Sequence, residues 1–116
     1  MEGAGKVTTE ESLKMALMEI SVVPLGTQTT SLSPWIAKVV RAVQESGLDY
    51  TLHDMGTTIK GGAGELLELA ARLHEVPFSQ GARRVYTVIK LDDRRDKDTG
   101  LGDKSASVRK RLEAGV

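Results

Sequence analysis

"LDYTLHDMGTTIKGGAGELLELAARLHEV", residues 48–76, decides the fold. Two short β-prone runs, "LDYTLHDM" and "TTIKGG", meet at Met55-Gly56, and a tight turn there accounts for the glycine. "GELLELAARLHEV" follows at once. Its Leu66, Leu69, Ala70 and Leu73 recur at the three-and-four spacing of an amphipathic helix, which Pro77 is expected to close. A hairpin that runs directly into a helix is the middle of a β-α-β-β-α-β chain.

The flanks supply the rest. In "MALMEISVVPL", residues 15–25, Met18, Ile20 and Val22 point one way and Leu17, Glu19, Ser21 and Val23 the other. That is a strand with one apolar and one mixed face, ended by Pro24 and Gly26. In "GTQTTSLSPWIAKVV", residues 26–40, a polar loop leads to Ser33 as N-cap and Pro34 as first helical residue. Ile36, Val39, Val40 and Val43 then mark one helix face, and Gly47 the stop. "RRVYTVIKL", residues 83–91, reads as a fourth strand with Val85, Ile89 and Leu91 on one face and Tyr86, Val88 and Lys90 on the other. A charged loop, "DDRRDKDTGLGD", precedes a short terminal helix with Val108 and Leu112 as an i, i+4 pair.

The order predicts an α+β, ferredoxin-like fold: a four-stranded antiparallel sheet with both crossover helices on one face, strands 1 and 3 central. Residues 1–14 read as a loose polar tail and 15–116 as one domain, an ordinary size for 116 residues. The helices leave one sheet face open. It carries Leu17, Val23, Tyr86 and Val88 and is too apolar to stay bare, so packing against another copy is expected.

Composition narrows function. Sixteen basic residues balance sixteen acidic ones, which points to neither nucleic acid nor an anionic membrane. The chain has no cysteine, which removes disulfides, thiolate catalysis and cysteine-based zinc sites. Aromatics make up only 3%, too few for a base-stacking platform. No apolar stretch is long enough to span a membrane, and the N-terminal residues lack the apolar segment of a secretory signal. A soluble cytoplasmic protein without metal or cofactor is the expectation.

No nucleophile–base arrangement can be assembled. His53 and His74 lie on different elements without ligand spacing. "KGGAGE", residues 60–65, opens a helix, but it lacks the phosphate-loop pattern and Glu65 would repel an anion. The alternating charges of "DDRRDKD" fit a solvated loop or ion pairs between subunits. Glu19 is more telling. A carboxylate in the middle of a central strand needs a partner, either a lysine such as Lys60 or Lys90 or a ligand donor. Ser21 shares its face, and Thr57 begins the neighbouring central strand, so the three together would present a carboxylate and hydroxyls to a small polar heterocycle. Trp35, at the start of the first helix, offers a stacking ring or a packing anchor.

"MEISVVPLGTQTTSLSPWI", "SGLDYTLHDMGTTIKG", "GARRVYTVIKLDDRRDK" and "SVRKRL" resemble the thiamine-binding protein family, the UPF0045 or MTH1187/YkoF-like group. The resemblance runs from Met18 to Leu112. It implies a ferredoxin-like fold assembled into dimers and tetramers by sheet packing, and binding of thiamine or its hydroxymethylpyrimidine part without an established catalytic activity. The family's "EISV" falls on Glu19–Val22, its "P-G-T" loop on Pro24–Thr27 and its "MGT" on Met55–Thr57. The resemblance therefore adds Thr27, Met55 and Gly56 to Glu19, Ser21, Trp35 and Thr57 as ligand-binding candidates. Lys60 stands where the family commonly has an acid, a change that disfavours the thiazolium cation more than a neutral pyrimidine. No cluster of cations or carboxylates suggests a diphosphate grip, so an unphosphorylated ligand is expected. Two other readings remain: an oligomeric enzyme with His53 and Glu19 as acid and base, and a purely structural oligomeric module.

Overall fold

The computed structural model describes residues 14–115. Seven elements follow in order: β1 (Met15–Pro24), α1 (Ser33–Ser46), β2 (Tyr50–His53), β3 (Gly56–Gly62), α2 (Ala63–Ser79), β4 (Val85–Asp92) and α3 (Asp103–Glu113). The strands form one sheet in the order β2-β3-β1-β4, and every neighbouring pair is antiparallel. The expected ferredoxin-like arrangement is present, with β1 and β3 central. The predicted tail lies outside the described residues apart from Lys14.

The core follows from the alternation of β1. Ala16, Met18, Ile20 and Val22 are buried, and the residues between them are half-buried on the opposite face. Ile59 of β3 adds to the buried face. Over it lie Val39 and Val43 of α1 and Leu66, Leu69, Ala70 and Leu73 of α2, giving one continuous cluster. α1 ends at Gly47, whose φ of 76° is the left-handed stop that a side chain would resist.

Three local expectations are corrected. First, the hairpin turns at Asp54-Met55, and Gly56 is already the first residue of β3, paired with His53. No non-glycine described residue has positive φ, so this is not the primed turn that a glycine would serve. Gly56 is needed for closeness instead: a Cβ there would lie 3.1 Å from the Ile20 carbonyl oxygen and 3.5 Å from Cγ of Glu19. Second, Ser33 is the first residue of α1 rather than its cap. The Leu32 carbonyl accepts from the N–H groups of Trp35 and Ile36, and Pro34 uses a position whose missing N–H has no partner to lose. Third, Pro77 does not close α2. It lies inside the helix with its ring buried, and the helix ends where the N–H groups of Gln80 and Ala82 both bond the Pro77 carbonyl. Proline removes a single donor, and at this last turn its fixed φ still fits the helix.

Leu69→Ala should lower unfolding free energy by about 2–5 kcal/mol, because the site is sealed between α2 and the sheet. Gly56→Ala should cost about 1–3 kcal/mol, because its methyl meets a carbonyl fixed in the central strand. Urea melts of both variants read these shifts, and a Gly56→Ala protein as stable as the wild type would contradict the close approach.

Candidate functional site: the open face of the sheet

The register sets what the open face presents. Thr51, Thr58, Glu19 and Lys90 are successive cross-strand partners from β2, β3, β1 and β4, so one polar rung crosses the whole sheet. Apolar and aromatic groups frame it. Val23 faces Tyr86 and Ser21 faces Val88 on one side, and Leu17 lies between Lys60 and Asp92 on the other. Tyr86 is 60% exposed, which is high for a tyrosine in a strand.

Several polar groups on this face already have partners. Lys90 Nζ is 3.7 Å from Glu19 Oε1, and with Lys90 largely in solvent this pair adds little to stability in the isolated chain. Lys60 Nζ lies 3.1 Å from Asp98, so the loop after β4 returns to the open face and neutralises that cation. His53 Nε2 and Thr58 Oγ1 are 3.1 Å apart. Gly56 lies beside Glu19 on this face: a Cβ there would stand 3.5 Å from Glu19 Cγ, at ordinary contact distance. The glycine of the hairpin thus shapes the surroundings of the carboxylate.

The structure divides the residues chosen from sequence. Glu19 and Ser21 share the open face, with Gly56 beside them. Thr57 does not join them: it pairs with Ile20, lies 5% exposed on the helix-covered face, and is separated from Glu19 by the sheet itself. The open-face hydroxyl of β3 is Thr58, which the sequence reading passed over. The signal was present, since Ile59 belongs to the core and a period of two places Thr57 with it and Thr58 opposite. Met55 is 87% exposed at the hairpin tip. Thr27 donates its hydroxyl to the Thr29 carbonyl at 2.8 Å, which spends it on the shape of the β1–α1 loop. Trp35 sits half-buried in the first turn of α1.

Other candidates resolve as connections or surface. The Gly62 N–H at the start of α2 donates to Glu65 Oε1 at 3.3 Å, so the helix caps itself with its own carboxylate. His74 Nδ1 is 2.8 Å from Thr87 Oγ1, which holds α2 against β4. His53 and Glu19 each have another partner, Thr58 and Lys90, rather than one another. In the charged loop, Arg94 pairs with Asp96 and Arg95 with Asp93. The hydrogen bonds from these guanidinium groups hold both carboxyls below the usual range. Among the described residues no group of three or more His, Asp or Glu side chains gathers as a metal site would require, and no helix is long and apolar enough to cross a membrane.

An open face with a carboxylate, hydroxyls and an imidazole can bind a flat polar ring through both donor and acceptor edges. Comparison with known proteins identifies the family. The family described as thiamine-binding protein matches residues 18–109. The UPF0045 protein of Methanothermobacter thermautotrophicus is 41% identical over 99 residues, 84% of this chain and 100% of the relative. The UPF0045 protein YqgV of Bacillus subtilis is 39% identical, covering 85% of this chain and 99% of its own. Among solved structures, a domain of unknown function from Bacillus cereus superposes with a TM-score of 0.72 at 28% identity, over 84% of this chain and 93% of that one. A Thermotoga maritima protein, assigned provisionally to thiamine biosynthesis or salvage, shares the fold with a TM-score of 0.69 at 20% identity, over 82% and 99%. With the family pattern covering all four strands and both crossover helices, the chain belongs to the thiamine-binding protein family.

Proposed function

We propose that this protein is a non-enzymatic binder of thiamine or a related hydroxymethylpyrimidine, held on the open sheet face where two copies meet. One observation carries the reading. Glu19 stands at the centre of a polar rung that crosses the open face, flanked by Leu17, Val23, Tyr86 and Val88 and with Gly56 beside it. The name of the family and the provisional role of the Thermotoga maritima neighbour support the choice of ligand.

Physical chemistry favours the match. An aminopyrimidine offers adjacent N–H donors and ring nitrogen acceptors. The Glu19 carboxylate suits the donors, and the hydroxyls of Ser21 and Thr58 suit either edge. Lys60 weighs less against a cationic ring than its position in the family pattern suggests, because Asp98 compensates its charge. A single chain leaves this face flat and wet. A second copy seated on Tyr86 and Val88 would exclude water and strengthen the polar contacts that a ligand makes there. Once covered, Glu19 has a strong need for a partner, since a desolvated carboxylate without one costs several kcal/mol.

Titration calorimetry tests this with thiamine and hydroxymethylpyrimidine as separate titrants. A hydrogen bond to a charged group contributes about 1.5–3 kcal/mol, so Glu19→Gln should weaken binding by roughly 10- to 100-fold. Thr58→Val should also weaken it. Thr57→Val should leave affinity unchanged and affect stability alone. Heat from neither ligand at millimolar concentration, with folded and assembled protein in the cell, would contradict the proposal. Sedimentation velocity supplies a parallel reading: Val88→Lys, at the open face, should shift the assembly toward smaller species and reduce ligand affinity with it.

A further inference from the structure

Among the described residues, two apolar surfaces besides the hairpin's Leu52 and Met55 remain after the core and the open face are accounted for. The first lies on the helix side of the sheet, along the outer edge of α2. Leu67, Ala71 and Phe78 fall within about 40° of one another around that helix, on the flank where His74 meets Thr87 of β4. Leu67 and Phe78 are exposed, as are Ile89 and Leu91, which belong to the helix-facing side of β4. From the His74–Thr87 contact, Leu67 lies about 10 Å back along the helix. Leu91 lies about 13 Å on along the antiparallel strand. The two therefore stand at nearly the same level and border an exposed apolar strip between α2 and β4, hereafter the groove.

The second surface is α3. This helix of eleven residues buries nothing in its own chain. A helix of that length is marginal in water without tertiary contact. Val108 and Leu112, at 56% and 69% exposure, form an apolar ridge one turn apart.

We infer that α3 of one copy docks in the α2–β4 groove of another. Charge argues for the match. α3 carries four cations against two carboxylates, and α2 carries three carboxylates against one arginine. Glu68 and Glu75 border the apolar stripe of α2, while Arg109 and Arg111 flank the ridge of α3, so opposite signs meet on closure. The connection argues for exchange between chains. Asp98 is held by Lys60, and Lys104 at the start of α3 is 2.8 Å from Asp92. Lys60 and Asp92 both belong to the open-face register, so the path to α3 leaves on the side opposite the groove. A chain so tethered cannot lay α3 in its own groove without breaking both ion pairs. Placed on a neighbour, α3 covers Leu67, Ile89 and Leu91 and gains the burial that its own chain does not provide.

The absence of cysteine makes the test clean. Leu67→Cys and Val108→Cys chains are unfolded together, refolded as a mixture, and treated with a short bismaleimide. The expected product is a covalent dimer of one chain of each kind, formed at least tenfold faster than with Leu67→Cys and Lys110→Cys, whose second cysteine lies on the far side of α3. Both substitutions fall at exposed positions, and circular dichroism of each variant reports that the helix content is retained. Equal rates for the two mixtures would overturn the inference. So would a chain carrying both Leu67→Cys and Val108→Cys that closes on itself as a monomer, since that places α3 in its own groove. Neither position touches the open face, so failure here leaves the ligand reading standing, and absence of ligand binding leaves helix exchange standing.

Discussion

The contact between Gly56 and the Ile20–Glu19 segment ties the hairpin to the centre of the sheet. With a Cβ at Gly56 only 3.1 Å from the Ile20 carbonyl oxygen, no other residue fits there without moving the central strand. The contact closes the end of the β1–β3 pairing, whose register matches Ile20 with Thr57 and Glu19 with Thr58. Register in turn sends Thr57 and Ile59 to the core and Thr58 to the open face. It also sets Gly56 beside the Glu19 side chain. The stability of the sheet and the shape of the candidate site therefore depend on the same absent side chain.

A second constraint acts through the two faces of β1. Its inner residues, Ala16, Met18, Ile20 and Val22, are sealed by α1 and α2. Its outer residues mix Leu17 and Val23 with Glu19 and Ser21. Such a face is poorly suited either to full exposure or to burial in an apolar core. It is suited to an interface in which apolar corners pack and a central polar strip keeps hydrogen-bonding partners. The helix-side groove and the unburied α3 pose the same problem in another place, and the proposed association between copies would resolve both.

Much of this was legible in the sequence where a period could be counted. The alternation of β1 and the apolar spacing of both crossover helices name nearly every core residue, and the strand order follows from antiparallel connection rules. Residues whose role depends on register were harder. Thr57 and Thr58 are chemically identical neighbours, and only the exact start of β3 separates a core residue from a surface hydroxyl. Placing the turn at Met55-Gly56 instead of Asp54-Met55 was enough to choose the wrong one. Pro77 misled for a different reason: proline stops a helix by removing one donor, and at the last turn that donor is dispensable. The isolation of α3 had no local signature at all, since a pair of apolar residues at i and i+4 looks the same whether it packs at home or elsewhere.

The central claim is that the ligand sits on the open sheet face beside Glu19. Amide chemical-shift mapping during a thiamine or hydroxymethylpyrimidine titration addresses it most directly. The account predicts the largest changes at Gly56, Thr58, Glu19 and Ser21, and little at Thr27 or along α3. Changes confined to the β1–α1 loop around Thr27 and Trp35, with the strand amides unmoved, would contradict it.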